Sequence, residues 1–180
     1  MTSSGLIRWG GVALMLAGVA FITRSRFPTD SSVGDAFQLV AIALLAVGIV
    51  GLHTLQKNHF GRLGLIIGLA GLSIVVIAAS ASVVSRIVML VSGSDALVWI
   101  TDLALPALML GMVIYGVATL LARVLPLWVG VAIILALPLR IALVVIDPWG
   151  LTLFGLLWVV LGYVLWSRRE AVTEQPSRVS

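Results

Sequence analysis

The chain contains no cysteine and only one lysine, and few of its residues carry a charge. Without cysteine it can form no disulfide, no thiolate nucleophile, no iron–sulfur cluster and no covalent haem attachment. Charged residues make up 10% of its 180 residues, hydrophobic residues make up 61%, and the mean hydropathy is +1.21. A composition so poor in charge predicts a protein whose main solvent is lipid.

Polar segments long enough to form a soluble domain are lacking as well, because short connections separate six long apolar stretches. Each stretch approaches the length that a helix needs to cross a bilayer. They are too continuous for barrel strands, so helices must satisfy the backbone polar groups. The predicted spans are 5–23, 36–55, 63–84, 98–121, 127–146 and 151–166. We therefore expect residues 1–180 to form a single all-α transmembrane domain, a polytopic bundle of about six helices, with 167–180 as a polar cytoplasmic tail.

The basic residues near the span ends predict the orientation of this bundle, since positively charged loops stay in the cytoplasm. Most of them lie on the side that both termini share, so we expect both termini to be cytoplasmic. Arg24 and Arg26 lie on the other side and oppose this assignment, with Asp30 and Asp35 as partial counter-charges. The basic residues on the terminal side are Arg8, Lys57, Arg62, Arg123, Arg168, Arg169 and Arg178.

Residue patterns that carry catalysis or metal binding are missing. No hydroxyl stands in a recognisable pattern with a base, and no glycine-rich phosphate loop occurs. The two histidines, His53 and His59, are six positions apart and point to different faces, so we expect no shared metal. No basic patch with interleaved aromatics lies outside the spans, which argues against nucleic-acid binding. We therefore expect no enzymatic activity, no catalytic residue and no metal site.

Small residues recur at steps of three and four in the first and third spans. Faces of this kind let a neighbouring helix approach closely. One interpretation is that they hold the bundle together internally. The other is that one of them, on the first or third span, faces a different protein. The residues are Gly10, Ala13, Ala17 and Ala20 in the first span and Gly61, Gly64, Gly68 and Gly71 in the third.

Ionisable side chains at membrane depth are costly, and each one is a candidate functional residue. Arg140 lies seven residues before Asp147, hence roughly 10 Å from the outer end of its helix by the helical rise. Sequential antiparallel helices are usually neighbours, so Arg140 and Asp102 are placed to form an ion pair. Two hypotheses stay open. Arg140 and Asp102 form a structural clamp, or Arg86, Asp102, Arg140 and Asp147 line an outward-facing pocket for a small polar or anionic solute.

Three stretches of the chain resemble a broad group of uncharacterised bacterial six-span membrane proteins. They are GVATLLARVLPLWVGVAIILALPL (Gly116–Leu139), FQLVAIALLAVGIVGLHTLQ (Phe37–Gln56) and GRLG (Gly61–Gly64). The resemblance covers most of the chain and implies a multi-pass protein of the bacterial cytoplasmic (inner) membrane. It implies no activity.

The size, the span count and the alanine seam at Ala13, Ala17 and Ala20 are similar to those of the substrate-binding components of energy-coupling-factor vitamin transporters. In that family, small residues on the first helix dock the partner. The similarity therefore implies a partner-facing seam on the first span. No vitamin-specific motif accompanies it in this chain, so it implies no particular substrate.

Two functions of different classes follow from these features. The first is a non-catalytic accessory or scaffolding subunit that acts through helix packing, with other membrane subunits or a second copy as partner in the lipid bilayer. The alternative is a component that binds or transports a small solute in a charged pocket around Arg140. No cofactor is required, although apolar grooves and the single axial ligand His53 leave an apolar pigment or lipid open.

Overall fold

The computed structural model describes residues 3–28, 31–56, 59–93, 98–142 and 149–173. These residues form six α-helices and no strand, which confirms the prediction of an all-helical protein. Five of the helices are long and apolar enough to cross a membrane, whereas the apolar segment of α5 is shorter, Leu127–Ala136. The helices are α1 (Ser3–Arg24), α2 (Ser32–Gln56), α3 (Arg62–Ser92), α4 (Val98–Ala122), α5 (Leu127–Ala142) and α6 (Trp149–Thr173).

The helices pack as two three-helix units. In the first unit α1 lies between α6 and α2, and in the second α4 lies between α3 and α5. Sparser contacts between α2 and α3 and between α5 and α6 join the units and close the ring of helices. We call the end where α1 begins and where α2, α4 and α6 finish the N-terminal end, and the other the opposite end.

Direct backbone contacts hold the first unit together. A Cβ atom added at Gly10 of α1 would lie only 2.6 Å from the Cα atom of Gly51 in α2. On the side of α1 that faces α6, a Cβ atom at Gly18 would overlap the carbonyl oxygen of Gly155. Glycine is required at these positions because any side chain would separate the helices.

The alanines of the first predicted seam lie on the buried side of α1. Ala13, Ala17 and Ala20 are 5%, 0% and 6% exposed. With Gly10 in contact with α2, all four residues of this seam are used inside the bundle.

In the second unit, the glycine face of α3 contacts residues of its own chain. A Cβ atom at Gly71 would lie 2.7 Å from the backbone nitrogen of Tyr115 in α4. The ring of Phe60, in the α2–α3 connection, packs against Gly64 and Gly68. A Cβ atom added at either glycine would lie 3.2 Å from this ring. Gly61 has open space around it. Three of the four predicted seam residues of α3 therefore pack internally.

Tryptophan side chains mark both the surface and the centre of the bundle. Trp99 and Trp128 lie at the starts of α4 and α5, and Trp9 and Trp166 lie near the ends of the predicted first and sixth spans. All four are exposed, as expected for side chains at a membrane interface. Trp158, in the middle of α6, is completely buried and meets the ring of Phe154 edge-on, with 5.9 Å between the ring centroids. It is the largest fully buried side chain in the described part of the molecule.

The third helix is longer than its predicted span, which ended at Val84. It continues to Ser92 and stops at Gly93, whose φ of 62° is the left-handed conformation that glycine adopts readily. The Gly93 N–H donates to the carbonyl oxygen of Met89, which closes the last turn. The extra turns carry Arg86 to the opposite end of the bundle.

Candidate functional site

One member of the predicted charged cluster, Arg86, pairs with a residue outside it. Its Nη1 atom donates to the Oδ1 atom of Asp35, near the start of α2, at 3.1 Å. The two side chains are 29% and 23% exposed. The pair links α2 to α3 at the opposite end, where the two three-helix units meet.

The remaining members of that cluster are not brought together within the described residues. Asp102 is exposed on α4, and the helical backbone of α5 includes Arg140 in its last turn, with its side chain outside the described part. Asp147 also lies outside the described residues. The Arg140–Asp102 pair and the outward-facing pocket therefore stay predictions.

We expect the Asp35–Arg86 pair to contribute less than about 1 kcal/mol to stability, because solvent screens a partly exposed ion pair. A double-mutant cycle with Asp35→Asn and Arg86→Gln tests this when the unfolding free energy is measured in detergent micelles. The coupling energy should decrease further as salt is added. A coupling of several kcal/mol that salt does not change would contradict the expectation.

Arg24, whose charge opposes the predicted orientation, is the last residue of α1 and is buried against the α1–α2 connection. Its Nη1 atom donates to the carbonyl oxygens of Phe27 and Pro28, at 2.9 and 3.0 Å. The guanidinium also packs over Gly34, where a Cβ atom would lie 2.8 Å from Nη1. Arg24 therefore organises the turn after α1 and is not a free loop charge.

Four polar side chains meet between α2 and α4 near the N-terminal end: His53, Gln56, Tyr115 and Thr119. We call them the buried polar cluster. The Thr119 hydroxyl donates to the Tyr115 carbonyl oxygen at 3.0 Å and lies 3.4 Å from the Oε1 atom of Gln56. One turn away, the centroids of the His53 and Tyr115 rings are 6.2 Å apart. Gln56 and Tyr115 are fully buried and Thr119 is 2% exposed.

Among the polar atoms of this cluster, the Nε2 atom of Gln56 and the hydroxyl of Tyr115 are buried without a hydrogen-bond partner in the described structure. Rotating the Gln56 amide by 180° would let Nε2 donate to Thr119 and would leave Oε1 unpaired instead. One amide atom is therefore unsatisfied in either orientation. Such atoms are costly inside a protein that lipid surrounds.

The sequence itself contains a signal for this cluster. His53 and Gln56 are three residues apart, and Tyr115 and Thr119 are four apart, so each pair shares one face of an otherwise apolar helix. Polar side chains grouped on one face at membrane depth indicate an internal contact. Only His53 entered the sequence interpretation, as a candidate axial ligand.

The cluster offers hydrogen-bond donors and acceptors and no carboxylate. Among the described residues, no three or more histidine, cysteine, aspartate or glutamate side chains come together in a way that would hold a metal ion. The arrangement is suited to binding a small neutral molecule through hydrogen bonds.

An apolar groove of about 330 Å³ lies where α5 and α6 contact each other sparsely. Its walls include Ala136 and Leu139 of α5 and Leu153, Leu156, Leu157 and Val160 of α6. A lipid acyl chain or an apolar pigment would fit such walls chemically. His53 is on α2 in the buried polar cluster and does not line the groove, so the predicted axial ligand and this groove do not form one site.

The six described helices, five of them able to cross a membrane by length and apolarity, define an all-α integral membrane protein. Comparison with protein-family models, with curated proteins and with solved structures finds no match to this chain. Its function is therefore inferred from its own contacts and surfaces.

Proposed function

We propose that the chain is a non-catalytic integral membrane protein that acts through helix packing, as an accessory or scaffolding subunit of a bacterial membrane assembly. The proposal includes six spans and cytoplasmic termini. Because the chain has no cysteine, single cysteines test this topology directly. In intact cells, a membrane-impermeant maleimide should label Ser31→Cys and leave His59→Cys unlabelled. The reverse pattern would contradict the orientation.

The observation that supports this proposal is a row of exposed residues on the outward face of α3. Exposed residues recur there at alternating steps of four and three over the length of the helix, which is the spacing for packing at a crossing angle near +20°. Three of them are small, two being serines, and such residues support close approach and hydrogen bonds between membrane helices. They are Ile66, Ala70, Ser73, Ile77, Ser80, Val84, Ile87 and Val91.

The predicted glycine faces are less suitable for a partner, because Gly10, Gly64, Gly68 and Gly71 already contact their own chain. A second subunit would have to displace these contacts to reach them. The outward face of α3 is accessible without any rearrangement, so we assign the contact with the other subunit to this face.

Photo-crosslinking in the native membrane tests the assignment. A diazirine amino acid at Ser80 should yield an adduct with a protein subunit, whereas the same probe at Val160, on the exposed side of α6, should yield lipid adducts. Val160 is a matched control because it also lies mid-helix and is 47% exposed. Lipid adducts alone at both positions would contradict the proposal.

A second candidate function is a component that binds or transports a small solute. Two polar links support it, because they join the two three-helix units at opposite ends: Asp35 to Arg86 and Gln56 to Thr119. Units joined in this way are suited to alternate opening around a central site. Native mass spectrometry distinguishes the candidates. A protomer with a solute adduct that is lost on Arg140→Ala supports solute binding, and a defined complex without an adduct supports the subunit function.

A further inference from the structure

We propose that the buried polar cluster is a binding site for a small molecule that both donates and accepts hydrogen bonds, held between α2 and α4. Water is the smallest molecule of this kind, and a small neutral polar solute is the other source of the same chemistry. The site requires neither the subunit function nor the charged pocket around Arg140.

Gln56 and Tyr115 lie on turns of α2 and α4 that face each other. The Tyr115 ring lies beside that of His53, one turn before Gln56, with 6.2 Å between the centroids, and Thr119, one turn after Tyr115, lies 3.4 Å from the Oε1 atom of Gln56. The side chains of Gln56 and Tyr115 are completely enclosed. The amide supplies a donor or an acceptor, and the phenol supplies both, so the two groups offer an occupant both kinds of hydrogen-bond partner.

Leaving these buried groups unpaired would cost free energy. Buried polar groups in proteins nearly always have a partner, which is an ordered water where no side chain reaches them. Apolar side chains of the same shape would fill a dry site at lower cost. Unsatisfied groups on two facing turns of α2 and α4 therefore indicate an occupant.

Trp158 provides a contrast within the same molecule. Its Nε1 atom is also buried without a hydrogen-bond partner in the described structure. The side chain that approaches its ring edge-on is Phe154, which offers no polar atom. A bound water needs two to four polar partners, so an isolated indole N–H does not create a site. The buried polar cluster instead brings polar side chains of two facing helices together.

The surroundings of the cluster indicate how an occupant enters. Gln56 is the last residue of α2, and Tyr115 lies seven residues before the end of α4, about 10 Å by the helical rise. The ring of Phe60 lies between His53, 5.6 Å away by ring centroids, and the glycine face of α3, and so covers the cluster on that side. The short route is therefore from the N-terminal end.

Radiolytic hydroxyl labelling of the full-length protein in ¹⁸O-water tests the proposal, because radicals formed from bound water oxidise the side chains that touch it. Tyr115 should be oxidised severalfold faster than Phe154, an aromatic side chain buried among apolar neighbours. Gln56→Leu, which keeps the bulk of the side chain but removes the amide, should reduce the Tyr115 rate severalfold. The comparison within the unaltered protein remains decisive even if this variant fails to fold.

Native mass spectrometry of the same preparations separates the two sources. A small-molecule adduct that Gln56→Leu abolishes identifies a solute, whereas ¹⁸O incorporation at Tyr115 without an adduct identifies water, and both results support the site. Oxidation of Tyr115 at the rate of Phe154, with no adduct sensitive to Gln56→Leu, would overturn it. Arg140→Ala and the crosslinks from Ser80 report on the proposed functions separately, so the failure of either is distinguishable from the failure of this site.

Discussion

Gly18→Val should destabilise the bundle by about 3 kcal/mol, at the upper end of the usual cost of overpacking a protein interior. The new Cβ atom would overlap the carbonyl oxygen of Gly155, and it would also lie 2.8 Å from the backbone nitrogen of Val159. Both atoms belong to the backbone of α6, so a change of rotamer cannot relieve the overlap. The two helices would have to separate along their whole contact.

The measurement is the free energy of unfolding in mixed micelles, followed by circular dichroism and by tryptophan fluorescence. Gly61→Val is the matched control, since a Cβ atom at Gly61 has no neighbour within 4 Å and the backbone φ of −64° suits any residue. Its effect should stay within about 0.5 kcal/mol. Equal losses in the two variants would show that backbone contact between α1 and α6 does not determine stability.

The small-residue faces show how far sequence predicts this fold. The spacing of three and four residues predicts that Gly10, Gly64 and Gly68 belong to small-residue faces, because such a spacing depends on one helix alone. Which residue packs against each face depends on segments that are distant in the sequence. The neighbour of Gly18 is Gly155, near the other end of the chain, and Phe60 reaches Gly64 from a connection that sequence treats only as a loop. Neither contact follows from spacing.

For the charged residues too, sequence predicts the position along a helix, whereas packing determines the partner. The position of Arg86 in the sequence indicates how far along α3 it lies, since each residue advances a helix by a fixed rise. Its partner depends on the rotation of α3 about its axis, which packing against α4 and α2 determines. Asp35, 51 positions away, therefore was not recognised as that partner. The buried polar cluster was missed because its four residues lie on two helices that do not follow each other in sequence.

Trp158→Ala should destabilise the bundle by about 3 kcal/mol, the lower end of the cost of removing a tryptophan from a protein core. The side chain is completely buried at the middle of α6, where its ring meets Phe154. In a soluble protein, part of this cost would come from the favourable transfer of the side chain from water into the core, which the alanine variant loses. In a bilayer the surrounding lipid is as apolar as the core, so the cost comes from lost dispersion contacts and from the cavity. Thermal and denaturant unfolding in micelles measure it.

Trp158→Phe separates the two properties of this side chain, its volume and its N–H group. The N–H has no partner within the described structure, so removing it costs no hydrogen bond and relieves an unsatisfied donor. A smaller aromatic ring retains part of the packing, and we expect a loss of about 1 kcal/mol, well below that of the alanine variant. If phenylalanine were as damaging as alanine, the indole N–H would have to be hydrogen-bonded in the membrane, and Trp158 would belong with the hydrated groups instead of the dry core.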